Sequence, residues 1–386
     1  MALKITSLGR AEGLSERAVL RVTRTPLSDV ASRRDHVLVI EQGVPDHGLD
    51  LSGYGAILVK DGPGAPVAAG HALPVIRLPD VAHLEAGHIV AVSPRSGFVR
   101  TVFRPESPHN TLFATGRCNS NCLMCSQPPK DEDDSYLVAE NLRIIELIDR
   151  PPEALGITGG EPTLLGDGLV GVLSVLREKL PQTYVHMLTN GRRYRDSGFV
   201  RKLANVGHPA FVSGIPLYAD VATVHDYIVQ AEGAFDETVE GLYNAAEAGL
   251  AVEIRVVLHK QSVPRLVPLV EYIYRNFPFV THVALMGLEH MGYVKKNWDT
   301  LWVDPVAYVA ELTAAVRYLH QRRVNVSIYN LQLCLLPQEL WGLAKKSISD
   351  FKNVYLPECE QCAVRSHCCG LFLSQMNRHS AHIRAM

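Results

Sequence analysis

Thr115-Gly116-Arg117-Cys118-Asn119-Ser120-Asn121-Cys122-Leu123-Met124-Cys125 decides how the remainder of this chain is read. Three cysteines stand in a Cys-x3-Cys-x2-Cys spacing directly after a strand-like run at 111–115. Thiolates this close in sequence reach one inorganic core only if the residues between them turn tightly, and Asn119, Ser120 and Asn121 are turn formers. A four-iron cubane takes cysteine at its corners. Three protein thiolates leave one iron to a ligand that is not protein.

Composition narrows the setting. With 386 residues the chain has length for two or three domains. An apolar fraction of 47% and a charged fraction of 20% are those of an ordinary globular protein. A net charge of −2 argues against a nucleic-acid binder that works by phosphate neutralisation. No apolar run approaches the ~18–20 residues of a membrane span, and Met1-Ala2-Leu3-Lys4 opens no signal-peptide core. A cytoplasmic protein with neither nucleic-acid nor membrane partner is the expectation. Eight cysteines fall into two groups, Cys118, Cys122 and Cys125, then Cys334, Cys359, Cys362, Cys368 and Cys369. In a reducing compartment such groups read as metal ligands, and three plus four plus one spare suits two metal centres.

Outward from the cysteine loop, three segments are expected. Residues 1–108 look β-rich, with apolar runs at 34–40, 54–60, 75–78, 88–93 and 97–103 punctuated by Gly62-Pro63-Gly64 and Ser93-Pro94-Arg95-Ser96-Gly97. A small barrel or sandwich is expected there, gripping a substrate or partner or acting as a structural cap. Residues 109–325 alternate strand-like runs (112–115, 154–158, 184–189, 210–215, 252–258, 283–288) with helical ones (138–149, 169–180, 198–205, 235–248, 263–276). Six βα units predict an α/β fold, a partial (β/α)6 TIM-like barrel with its chemistry at the strand C-terminal ends. The cysteine loop lies at such an end. Residues 326–386 carry the second cysteine group.

After the second strand comes Ile157-Thr158-Gly159-Gly160-Glu161-Pro162-Thr163. Paired glycines let a ligand approach the backbone, Glu161 supplies a carboxylate for a positive group, and Pro162 fixes the chain direction. Turn formation alone explains Gly-Gly-Glu-Pro half the time; one βα unit after this cysteine loop it is a strong signal. The pairing resembles the radical S-adenosylmethionine superfamily. The resemblance implies a 4Fe–4S cluster on Cys118, Cys122 and Cys125, with S-adenosylmethionine chelating the fourth iron through its methionine amino and carboxylate groups. It implies that Gly159, Gly160 and Glu161 contact the methionine ammonium. A structural zinc site would want four protein ligands. The family often has an aromatic residue before the third cysteine; Met124 replaces it as a polarizable apolar shield. Further strand ends follow with less specificity. Thr189 and Asn190, in Thr189-Asn190-Gly191, offer hydrogen bonds, Ser213 would meet a ribose hydroxyl, and Arg255 could fork the methionine carboxylate. Met286-Gly287-Leu288-Glu289 would lie beside adenine. Each of these is equally a satisfied structural residue, and His225-Asp226 reads as a capped helix start before a catalytic pair.

The tail holds Cys359-x2-Cys362-x5-Cys368 with Cys334 upstream. Spacing alone leaves a zinc ribbon and an iron–sulfur site level. The run resembles the auxiliary-cluster extensions of SPASM and twitch type, which implies one auxiliary 4Fe–4S cluster on Cys334, Cys359, Cys362 and Cys368, with Cys369 able to replace Cys368. His367 reads as exposed loop. Taken whole, the chain is similar to the C-type radical maturases of His-Xaa-Ser peptide systems, through 118–129, Ile215-Pro216-Leu217-Tyr218, 286–289, Ile328-Tyr329-Asn330 and the tail cysteines. That likeness implies reductive cleavage of S-adenosylmethionine to a 5′-deoxyadenosyl radical that modifies a ribosomally made precursor peptide. It also implies a sister radical maturase and an electron donor such as flavodoxin or ferredoxin. The competing readings are a radical enzyme acting on a small molecule, a non-catalytic iron–sulfur electron carrier, and a zinc-stabilised scaffold.

Overall fold

Aliphatic runs too long to alternate with polar residues mark strands buried on both faces, and two sheets of this protein are built from them. The computed structural model describes residues 4–41, 50–62, 73–94 and 96–386; the turn residues Pro63, Gly64 and Arg95 lie outside them. The chain divides into two compact units. Among the described residues, one comprises 4–112 together with Tyr136–Leu155; the other comprises Phe113–Ser135 and Gly156–Met386.

In the first unit the described strands are β1 (Thr6–Leu8), β2 (Arg10–Glu12), β3 (Ala18–Thr23), β4 (His36–Ile40), β5 (Ala56–Lys60), β6 (Val75–Leu78), β7 (Ile89–Ser93) and β8 (Phe98–Phe103). They form one mixed sheet in the order β1-β8-β7-β3-β4-β5-β6-β2. The stretch β3-β4-β5-β6 is parallel, and the outer pairs are antiparallel. Val37, Val39, Leu58 and Ile76 fill one core cluster, while Leu38, Ile57, Val59 and Val75 fill another. Successive residues of one strand therefore serve opposite faces. Among the described residues this is a single sheet, where the sequence reading expects a barrel or sandwich. Each expected run contains a strand; β3, Ala18–Thr23, has an apolar run and is a further strand beyond those expected, while β1 and β2 have too few apolar residues to show themselves. The helix Tyr136–Leu147 belongs to this unit, where Arg143 Nη2 donates to Asp35 Oδ1 at 2.6 Å.

The second sheet runs β9 (Thr111–Phe113), β10 (Ala154–Thr158), β11 (Tyr184–Leu188), β12 (Phe211–Pro216), β13 (Ala251–Leu258), β14 (His282–Gly287), β15 (Val326–Tyr329) and β16 (Ala344–Lys345), neighbours in space being neighbours in sequence. From β11 to β16 every pairing is parallel. Parallel neighbours need crossovers, and helices supply most of them. Asp167–Lys179 buries Leu169, Val172, Leu173 and Leu176, the stripe of a 3.6-residue period. Ser197–Val206 starts on an Asp196 side chain that accepts from Phe199 N and ends on left-handed Gly207. Ala234–Glu247 and Leu266–Asn276 match expected helices to within three residues at each end. Val309–Gln321 is a further helix beyond those expected, and Ala222–Val229 begins three residues before the helix start expected at His225-Asp226. A small antiparallel pair, β17 (Asn353–Val354) and β18 (Leu371–Phe372), and short 3-10 turns make up the tail. The fold is mixed α/β. No helix among the described residues is long and apolar enough to cross a membrane.

Candidate cysteine-lined active site

Asp134 braces the cysteine loop from within. Its carboxylate, 2% exposed, accepts from Thr115 Oγ1 at 2.7 Å, Gly116 N at 2.6 Å and Arg117 Nε at 3.0 Å. On the other side Asn121 N and Leu123 N donate to the carbonyls of Val229 and Ile228 at 3.0 and 2.9 Å, the last turn of Ala222–Val229. Cys118, Cys122 and Cys125 thereby line one cavity of about 340 Å³, within the range of small-molecule sites. Burial pushes the Cys118 thiol up to about 11 and the Cys122 thiol up to about 12, and raises that of Cys125. Met124, in one buried cluster with Tyr218 and Leu288, lines the cavity with apolar surface.

The two glycines make room for the backbone of the cysteine loop. A Cβ on Gly159 would stand 2.4 Å from the Thr115 carbonyl oxygen, and one on Gly160 would stand 2.1 Å from that of Arg117. Gly160 N donates to Thr115 O at 2.7 Å and Glu161 N to Arg117 O at 2.8 Å. It is the cysteine loop's own backbone that needs the missing side chains, although both glycines also line the cavity. Glu161 is fully buried and turned away from that cavity. Its carboxylate accepts from Thr163 N at 3.0 Å, Thr163 Oγ1 and Thr189 Oγ1 at 2.6 Å, and Asn190 N at 2.6 Å. The expected ammonium contact is corrected for its side chain: four donors already occupy the carboxylate, and it ties the end of β10 to the end of β11.

Thr189 and Asn190 line the cavity as expected. Asn190 Nδ2 donates to Asn119 Oδ1 at 2.6 Å and stands 3.9 Å from Cys118 Sγ. Ser213 does not line it. It is wholly buried with its hydroxyl 2.8 Å from the Tyr194 phenol, because odd positions of β12 face the helices; Gly214, the next residue, faces the cavity. The ribose contact expected of Ser213 is therefore corrected. Arg255 lines the cavity, and so do Met286, Gly287, Leu288 and Glu289. His225-Asp226 lies inside a helix that starts at Ala222. His225 Nδ1 accepts from Tyr218 N at 3.2 Å, and Asp226 accepts from Gly233 N and Phe235 N at 2.7 and 2.8 Å, so both are structural.

Sequence reasoning missed the partners of Arg255. Its Nη1 donates to Glu253 Oε1 at 2.5 Å and its Nη2 lies 3.0 Å from Met286 Sδ. Burial alone would raise the Glu253 carboxyl; His186 and His282 beside it and the Arg255 charge outweigh that and hold it below the ordinary carboxylate range. A carboxylate two residues before an arginine in a strand shares its face, and that period-2 pattern was the available signal.

Cys334, Cys359, Cys362 and Cys368 line a second cavity. Its free space of about 20 Å³ is that of a water molecule, so a four-iron group enters only if the irregular segment 359–368 spreads. Cys369 turns inward instead, donating to Leu331 O at 3.2 Å and packing with Ile348 and Phe372. Its hydrogen bond holds the Cys368 thiol down at about 6, against burial. His367 is exposed. Among the described residues no three His, Cys, Asp or Glu side chains converge as ligands of one ion would; a cubane spreads its thiolates over separate iron corners and does not ask for that. The donor sets are three thiols on one cavity and four on the other, and cysteine is the ordinary ligand of a four-iron cluster.

Fe-coproporphyrin III synthase of Methanosarcina barkeri is 31% identical over 153 residues, 39% of this chain and 36% of that protein. SuiB of Streptococcus suis bound to S-adenosylmethionine aligns with a TM-score of 0.48 and 17% identity, over 58% of this chain and 50% of that one. SuiB bound to its precursor peptide SuiA gives 0.47 and 18%, over 59% and 49%. This chain thus spans about a third of the synthase and half of SuiB. Residues 112–273, which hold the cysteine loop, Gly159-Gly160-Glu161 and Arg255, match the model of the Radical SAM superfamily.

Proposed function

We propose that this chain is a radical S-adenosylmethionine maturase that modifies a ribosomally made precursor peptide of the His-Xaa-Ser type. Its middle segment, 109–325, is then a partial (β/α)6 barrel between a peptide- or partner-binding part, 1–108, and an auxiliary-cluster extension, 326–386. The observation that carries the reading is the meeting of three thiols, two glycines, Asn190 and Arg255 on one cavity. Cys118, Cys122 and Cys125 would hold the 4Fe–4S cluster, and Gly159, Gly160, Thr189, Asn190 and Arg255 would lie against S-adenosylmethionine. One-electron reductive cleavage of the sulfonium is the chemistry these groups supply when bound. The chain's residues orient and exclude. Arg255 presents a guanidinium to a carboxylate, Asn190 Nδ2 points a donor at Cys118, and Met124, Tyr218 and Leu288 keep water from the centre. Cys334, Cys359, Cys362 and Cys368 would hold an auxiliary cluster that takes the electron left on an oxidised peptide. A flavodoxin or ferredoxin supplies reducing equivalents, and a sister maturase shares the substrate.

Anaerobic reconstitution followed by reduction with S-adenosylmethionine tests this. The reading expects about eight irons per chain and 5′-deoxyadenosine as product. Cys122→Ala abolishes the product and leaves the tail iron; continued turnover by that variant sinks the assignment. The segment shared with Fe-coproporphyrin III synthase favours a small-molecule substrate as the second reading. Co-expression with a candidate His-Xaa-Ser precursor peptide decides between them, through a changed peptide mass.

A further inference from the structure

Consecutive strands put one connected polar network on the sheet face that carries Arg255. Register and the two-residue period place His186 on β11, Gly214 on β12, Glu253 and Arg255 on β13, His282 on β14 and Ser327 on β15 on the same face. Glu253 is its hub. Oε1 receives Arg255 Nη1 at 2.5 Å, and Oε2 receives His282 Nδ1 at 2.6 Å. His282 Nε2 in turn meets Ser327 Oγ at 3.0 Å. His186 Nε2 stands 3.3 Å from Oε1, within reach of its charge but badly aligned for a hydrogen bond. Of this group, Gly214 and Arg255 line the cavity.

Gly214 is the gap that lets the network cross β12. A Cβ there would lie 2.8 Å from His186 Nε2 and 2.9 Å from Arg255 Cδ. Among the described residues lining the cavity the arginine is also the one cation, and the one carboxylate, Glu289, is engaged by Lys352 Nζ at 3.0 Å. A long flexible guanidinium left unanchored would lose rotamer freedom on meeting a ligand. Anchored through Nη1 on Glu253 and with Nη2 against Met286 Sδ, it presents its remaining donors in a fixed plane.

We propose that Glu253 is a positioning residue: held by His282 and Ser327, it fixes the Arg255 fork so that the cavity selects a ligand bearing a carboxylate. This rests on the reading of the cavity as the S-adenosylmethionine site. Two effects oppose each other. Removing Glu253 frees the arginine of its counter-charge, which strengthens anion attraction, and it also releases the fork, which weakens bidentate pairing. Within a packed strand face the second effect governs, because bidentate pairing depends on the plane and the reach of the fork.

The test measures binding to the anaerobically reconstituted protein of S-adenosylmethionine and of methylthioadenosine, which lacks the amino-acid portion. Glu253→Ala and Arg255→Ala each weaken S-adenosylmethionine by roughly ten- to a hundredfold and leave methylthioadenosine unchanged. The double variant is no weaker than Arg255→Ala alone, since Glu253 acts through the arginine. Glu253→Gln, close in shape and safe for folding, shows a smaller loss of the same sign. Additive losses, tighter binding by Glu253→Gln, or equal losses for both ligands would overturn the proposal. If Arg255→Ala binds as the unaltered protein does, the carboxylate contact itself is wrong; if the unaltered protein binds no S-adenosylmethionine, the parent reading falls and this one with it.

Discussion

At Gly160 the tolerance of the structure is set by another residue's backbone. A methyl group 2.1 Å from the Arg117 carbonyl has no flexible side chain to push aside. Gly160→Ala should therefore cost about 1–3 kcal/mol and lower cluster retention together with the melting temperature; an unchanged melting curve would contradict the close approach. The adjacent tail thiols make opposite predictions from the same chemistry. Cys368→Ala should lose the tail iron, leaving about four irons of eight, while Cys369→Ala keeps them, because Cys369 is buried against Ile348 and Phe372. Iron and sulfide analysis of the two variants checks this. Equal iron in both would remove the distinction. The sequence leaves the two cysteines interchangeable, since adjacency alone does not say which side chain turns toward the loop.

Helix Asp167–Lys179 carries Gly171 on its surface, where an added Cβ meets nothing within 4 Å. Gly171→Ala should stabilise by about 0.5–1 kcal/mol, read as a higher urea midpoint; a lower one would mean that position faces something in solution. Such elements were legible because their apolar stripe keeps a 3.6-residue period, as in Leu169, Val172, Leu173 and Leu176. Val309–Gln321 has the same pattern in Leu312, Ala315, Val316 and Leu319, so its omission is a reading error and not a lack of signal. β1 and β2 differ in kind. Three residues each, Thr-Ser-Leu and Arg-Ala-Glu, they are strands only because β8 and β6 offer them partners.

Across the whole molecule the second unit is sensitive to acid. Burial pushes His225 down to about 4 and His259 down to about 3, and the Nε2 of His259 has no hydrogen-bond partner among the described residues. Both are neutral when folded, and the unfolded chain takes up their protons near pH 6.5. Their stability contribution is complete above that pH and falls as pH drops through 6.5 toward the folded values. By pH 5 the loss is about 2 kcal/mol for each histidine, visible as a falling denaturation midpoint between pH 7 and 5; a flat profile would refute their burial as neutral groups. The order of the βα units, the grouping of cysteines into three and four, and the glycine pair after the second strand were all determined by sequence, because period, spacing and thiol chemistry act locally along the chain. Which carboxylate faces the cavity was not. Glu161 is consumed by the hydroxyls and amides around it, Ser213 faces Tyr194, and Glu253 enters through Arg255. Strand register and neighbour identity settle those orientations, and both arise only when distant parts of the chain are packed together.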